Sequence, residues 1–172
     1  YYLGQAYAFT WKNNNVDLLF NGNHETNNSD FDHYLKKFGY NFKSQNNEIG
    51  GYVILNNKKN SLIMDIGSSP DKKFSSNYQA GALSFELLSN GKKLICNSGY
   101  FQDYGHKLNY LSKSSAVHST LIIDDRSSCK FSKTKSKDSK IMHGLKILKR
   151  NIIFEKNYWK IYASHDGYLK QY

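Results

Sequence analysis

Residues 80–129 read AGALSFELLSNGKKLICNSGYFQDYGHKLNYLSKSSAVHSTLIIDDRSSC, and the choice of fold turns on them. Leu83, Phe85 and Leu87 recur every second residue, the period of a strand with one face turned to a core. Ser89-Asn90-Gly91 then offers the residue types that accept the positive φ of a tight hairpin turn. Lys93–Asn97 resumes as the returning strand. Further on, Ala116–Asp124 is apolar on both parities, the pattern of a central strand covered on both faces.

Outward from this stretch the same alternation repeats. Strands are expected at Val16–Phe20, Gly51–Leu55, Ser61–Ile66, Ala82–Leu88, Lys93–Asn97, Ala116–Asp124, Leu145–Phe154 and Tyr158–Ser164. Asn56-Asn57-Lys58-Lys59-Asn60, Ser89-Asn90-Gly91 and Glu155-Lys156-Asn157 read as hairpin loops. One short helix is expected near residues 30–38, capped by Asp30, with Phe31, Tyr34, Leu35 and Phe38 on one face and Gly39 after it. Short strands at regular spacing with one small helix predict an all-β protein, an antiparallel two-sheet sandwich formed by residues 1–172 as a single domain. Its inner faces are expected to carry Leu83, Phe85, Leu87, Leu94, Leu121, Ile123 and Ile153.

Composition agrees with a globular domain. The 172 residues are 39% hydrophobic and 15% aromatic, with a single Pro, a mixture able to bury a core. No apolar run of about 18 residues is present, so no membrane-spanning helix is expected. The chain starts at Tyr1 without a leader and stops in strand-like text, so both ends are read as cuts from a longer protein. Cys96 and Cys129 do not constitute a disulfide framework and read as small hydrophobes. Lys+Arg total 24 against 14 Asp+Glu, a net charge of +10. Two readings stay open: an acidic partner, or a Lys- and Asn-rich composition without functional content. Only Arg126 and Arg150 supply guanidinium groups, which makes nucleic acid a less fitting partner than a polyanionic sugar. Lys130–Arg150 holds eight Lys/Arg against Asp138 alone, either a solvated loop or a landing strip for a polyanion.

The order and spacing of motifs in Ala80–Cys129 resemble the C-terminal sheet domain of the heparinase II/III-like polysaccharide lyases. That family carries His-x-His-Ala-(Asp/Gly) running into Leu-Ser-Phe-Glu, a Gly-turn hairpin, an aromatic loop, and Ala-His-Asn-Thr-Val with an Asp soon after. Here the corresponding text is Asn77–Gly81, Leu83–Glu86, Ser89–Gly91 and Ala116–Leu121. The resemblance extends more weakly to Gly51–Gly67 and to His165-Asp166-Gly167-Tyr168. It implies β-elimination on a uronic-acid polysaccharide, with most catalytic groups supplied by an α-helical domain N-terminal to the sheet domain. It also implies a periplasmic or extracellular location.

Carried over residue by residue, the family's first His falls on Asn77, its second on Gln79, and the metal-binding Asp on Asn97. Only the third ligand survives, as His118. Neutral amides are poor zinc ligands, so no metal and no other cofactor is expected. His118 has two readings, a buried hydrogen-bonded residue or a remnant catalytic group. Asn77, Gln79 and Asn97 are candidate substrate-binding residues, or a polar replacement for a lost metal cluster. Tyr100, Tyr104 and His106, in a loop rich in aromatic rings, are candidates for stacking on sugar faces or for folding over the core. The pairs His24-Glu25 and His165-Asp166 point opposite ways on a strand and do not read as dyads. A non-catalytic glycan-binding or structural module is the alternative to the lyase domain.

Overall fold

The computed structural model describes residues 12–13, 16–17, 33, 37–39, 47–99, 106–132, 139–169 and 171–172. Eleven strands are seen among them: β1 Lys12–Asn13, β2 Val16–Asp17, β3 Glu48–Ile49, β4 Tyr52–Asn56, β5 Asn60–Asp65, β6 Phe85–Ser89, β7 Lys92–Ile95, β8 Lys130–Phe131, β9 Ile141–His143, β10 Ile147–Phe154 and β11 Trp159–His165. All pairings between these strands are antiparallel.

Strands β3 to β7 form a five-stranded meander in sequence order. Local signals explain its hairpins. Asn57 Oδ1 accepts from Lys59 N at 2.9 Å and from Asn60 N at 2.7 Å, closing the β4–β5 loop with a side chain that mimics a backbone turn. Asn90 and Gly91 take φ of 49° and 74° between β6 and β7, the left-handed pair required by a hairpin turn that matches sheet twist. The third expected hairpin joins β10 to β11.

Register divides the meander into two faces. Val53 pairs with Met64 and Met64 with Phe85, while Leu55 pairs with Leu62 and Leu62 with Leu87. Onto this face the β10–β11 hairpin lays Ile152, Trp159, Ile161 and Ala163, around fully buried Val53, Leu55 and Ile66. Each such aliphatic side chain contributes roughly 1.5–3 kcal/mol by leaving water. The opposite face carries Ile54, Ile63 and Leu88, also buried. Burial on both faces is why Tyr52–Leu55 reads as continuous apolar text. A salt bridge from Arg150 Nη1 to Glu48 Oε2, at 3.0 Å, links β10 to β3. A second core gathers Ala80, Ala82, Cys129, Phe131, Ile141 and Leu145 beside β8 and β9. The architecture is an all-β antiparallel sandwich.

Several expectations are corrected. Ala116–Asp124 is not a strand: it begins as a 3-10 turn, Ser115–Val117, and continues without ladder pairing. Its hydroxyls bond to other backbone, as described below, and so replace a ladder. Leu94 and Leu121 are 64% and 66% exposed, because β7 is the last strand of its sheet and Leu121 lies in no strand. On β6 the deepest side chains are Glu86 and Leu88, while Phe85 and Leu87 are half-buried. Ile153 pairs with Lys160 on the hairpin face turned away from the core cluster.

The helix expected near 30–38 falls mainly outside the described residues, although His33 and Lys37 have helical backbone. A described helix, α1, spans Lys107–Ser112. Cys96 and Cys129 are free, the first exposed and the second buried. No described helix is long and apolar enough to cross a membrane.

Candidate functional site

Three segments meet beside the end of the meander: the approach to β6, the residues following β7, and the Ser112–Ser128 stretch. Serine and threonine hydroxyls make the junction. Ser115 Oγ donates to Ala80 O at 2.6 Å, and Thr120 Oγ1 donates to Ala82 O at 2.6 Å. Ser119 Oγ accepts from Phe85 N at 2.9 Å and donates to Phe85 O. These bonds satisfy β6-side backbone groups that a neighbouring strand would otherwise serve.

His118 sits in this junction, 9% exposed. Its Nδ1 is 2.8 Å from Ser114 O, and its Nε2 is 3.0 Å from the Gln79 carboxamide. A backbone carbonyl only accepts, so Nδ1 carries the proton. Burial pushes the His118 pKa below its ordinary value, outweighing the Ser114 bond that pulls it up, and the ring is neutral. The Gln79 atom placed 3.0 Å from Nε2 is Oε1. A neutral ring has one N–H, already on Nδ1, so the pair is satisfied by a half-turn of the amide that lets its NH2 donate to Nε2. Gly81 makes room for the imidazole. A Cβ there would stand 2.9 Å from His118 Cδ2 and 3.2 Å from Ser84 Oγ.

Asn97 occupies the next position in the same network. Its Oδ1 accepts from Ser119 N at 2.9 Å, and its Nδ2 donates to Ser84 Oγ at 3.3 Å. Its backbone N donates to Oε1 of Glu86 at 3.1 Å. Glu86, 1% exposed, lies in a cross-strand row with Ile54 and Ile63. It anchors the backbone just beyond β7 to the centre of the sheet.

The structure therefore brings Gln79 against His118 and joins Asn97 to the neighbouring residue, Ser119. Asn77 lies in an exposed turn. His106 is exposed and caps α1, its Nδ1 accepting from Leu108 N at 3.2 Å. Tyr100 and Tyr104 lie outside the described residues, as do His24 and Glu25. In the other acid–imidazole pair, His165 Nδ1 accepts from Gly167 N and Asp166 Oδ1 from Lys146 N, at 3.0 and 2.6 Å. Each partner is engaged with different backbone.

The family resemblance implies zinc here, and the donor set does not fit it. Gln79 and Asn97 are neutral amides already engaged with His118, Ser84 and Ser119. One imidazole is left, with both nitrogens occupied, too few anionic or imidazole donors for that ion.

Two parts of the surroundings went unread in the sequence. Lys113 is 1% exposed. Its Nζ donates to Ser76 O and, at 3.0 and 3.1 Å, to Ser139 O and Oγ, and lies 5.7 Å from the Phe131 ring centroid. It ties the 113–115 segment to two distant loops. Its flanking serines were the available signal, since a Ser-rich run inside apolar text points to side-chain-to-backbone bonding. The second is a cleft of about 590 Å³ whose lining includes Ser114, Arg126, Lys130 and His143.

An antiparallel sandwich with an amide–imidazole cluster at the end of its meander defines a class: a β-sheet module whose polar site is assembled for hydrogen bonding. A family model, heparinase II/III-like, C-terminal, matches residues 42–172. The chain belongs to that family. No curated protein and no solved structure matches it.

Proposed function

We propose that this chain is the sheet domain of a polysaccharide lyase-like protein that acts on an acidic, uronic-acid polysaccharide by β-elimination, with the Gln79–Asn97–His118 cluster lining the substrate cleft. One observation carries the reading. Within the stretch that the family model matches, residues 79–97 and 115–119 are tied together by hydrogen bonds at the end of the sheet, Gln79 to His118, Ala80 to Ser115 and Asn97 to Ser119. The elimination needs a base for the proton beside the carboxylate, a group for the enolate and an acid for the leaving oxygen. We assign these mainly to an N-terminal α-helical domain of the same protein. His118, bonded on both nitrogens, is a positioning residue that holds the Gln79 amide, and no zinc is used at this position. The basic surplus of +10 suits a polyanionic substrate.

The test is incubation of the intact protein with heparan, alginate and pectic substrates, following the ultraviolet absorbance of unsaturated products. Absence of product across all three counts against the reading. Stoichiometric zinc in the purified protein overturns the assignment of the cluster.

A second reading is favoured by one feature: amides engaged with His118, Ser84 and Ser119 stand where the family places metal ligands. It is a glycan-binding module without catalysis. It predicts binding of acidic oligosaccharides and no unsaturated product.

A further inference from the structure

Resting on the acidic-polysaccharide reading, we propose that the cleft lined by Arg126, Lys130 and His143 is a subsite for a single anionic sugar unit, gripping its carboxylate or sulfate group. The cleft holds about 590 Å³, within the range of small-ligand sites. It is distinct from the Gln79–Asn97–His118 cluster but shares a wall with it. Ser114 lines the cleft and accepts the His118 Nδ1 proton through its carbonyl.

The backbone places the basic groups. Lys130 of β8 and His143 of β9 are direct cross-strand partners, so both side chains leave the same face of the ribbon. Arg126 comes from a tight turn in which Asp124 and Asp125 take φ of 48° and 54° and Arg126 N donates to Ile123 O at 3.0 Å. Its guanidinium is already held: Nη1 donates to Gln171 O at 3.0 Å, and the group lies 5.1 Å from the Tyr172 ring centroid.

A guanidinium fixed in this way loses little freedom on gripping a ligand. Its planar fork also suits carboxylate or sulfate. Against these three basic residues the lining has one carboxylate, Asp125. Tyr110, 46% exposed, gives the cleft an aromatic ring on which a sugar face can stack.

The experiment titrates the intact protein with a uronate oligosaccharide and with its carboxyl-reduced counterpart. The wild type is expected to bind the uronate form roughly tenfold or more tightly over the reduced form. The double variant Lys130→Glu/His143→Ala, on exposed positions, should lose that preference, and Lys130→Gln should lose part of it even where the double variant folds poorly. Lys149→Glu on β10 should keep it.

Uronate binding that persists unchanged in the Lys130 variants overturns the cleft and leaves the polysaccharide reading standing. Equal losses in Lys130→Glu/His143→Ala and Lys149→Glu also overturn it, since diffuse surface charge would then be responsible. A wild type that binds no uronate oligosaccharide overturns the cleft and the polysaccharide reading together.

Discussion

The β3–β7 meander and the Ser112–Ser128 stretch hold their backbones by different means. In the meander, neighbouring strands satisfy each other's amides, and apolar side chains are free to fill both faces. Ser112–Ser128 is instead docked by hydroxyls, with Ser115, Ser119 and Thr120 reaching the backbone of Ala80, Phe85 and Ala82. A ladder tolerates exchange of its side chains, because its bonds are made by groups that every residue other than Pro carries. A hydroxyl-built segment does not, because each bond belongs to one residue type. In return it can bend, and it sets His118 against Gln79 and Ser119 against Asn97.

The largest effect is expected in the ladder's core. Leu55 is fully buried between the meander and the β10–β11 hairpin. Leu55→Ala should cost about 3–4 kcal/mol through lost burial and the cavity left behind, measured by denaturant unfolding. A cost under about 1 kcal/mol would mean that the hairpin does not seal this face.

The next effect tests where the ladder ends. Asp65 closes β5, and its Oδ1 accepts from Gly67 N at 2.9 Å. Burial pushes its pKa from 3.8 up to about 7, against the smaller pull of that bond. The folded state thus holds a proton that the unfolded state releases between these values. The group's contribution is most favourable below about pH 4, and stability declines as pH rises toward 7. Asp65→Asn keeps the acceptor and removes the titration. It should raise stability at pH 7 by on the order of 3 kcal/mol, with little change near pH 4. Equal effects at both pH values would refute a buried proton.

The contrast also explains what could be read from the chain beforehand. Hairpins were legible because their information is local: Asn90-Gly91 specifies a turn and the alternation on either side specifies strands. Ala116–Asp124 was misread because its partners lie far off in sequence. Ser119 meets Phe85 and Thr120 meets Ala82 across separations of 34 and 38 residues, and an apolar run bonded in that way looks like a strand. Helix α1 escaped notice because it has six residues and is capped by a His ring instead of the usual short polar side chain. Lys113 reads as a surface lysine until three oxygens from Ser76 and Ser139 are seen around it. The family's motif order brought Gln79, Asn97 and His118 into consideration, whereas Arg126, Lys130 and His143 share a cleft only through tertiary packing.

A smaller effect probes the hydroxyl-built segment directly. Ser119→Ala removes the acceptor for Phe85 N and a donor for Phe85 O, and leaves Asn97 bonded to Ser119 N alone on that side. It should cost about 2 kcal/mol, since buried polar groups lose their partners. Lys93→Ala, an exposed position in β7, should change stability by less than about 0.5 kcal/mol. Similar costs for the two would erase the distinction between the regions.

The smallest expected effect concerns a single proton. His118 is held neutral, with Nδ1–H on Ser114 O and its Nε2 lone pair on Gln79. Its folded pKa lies below the unfolded value of 6.5. The unfolded chain therefore takes up the proton first as pH falls. The ring's contribution is complete above pH 6.5 and diminishes from there down to the folded pKa. Nitrogen NMR of the imidazole should show a protonated Nδ1 and a bare Nε2 at pH 7, with a titration midpoint below 6.5. Gln79→Glu should move that midpoint upward, because a carboxylate beside Nε2 favours the imidazolium. A ring already doubly protonated at pH 7, or a midpoint indifferent to Gln79→Glu, would show that the amide does not cap the imidazole and that the hydroxyl-built segment does not hold its histidine in this state.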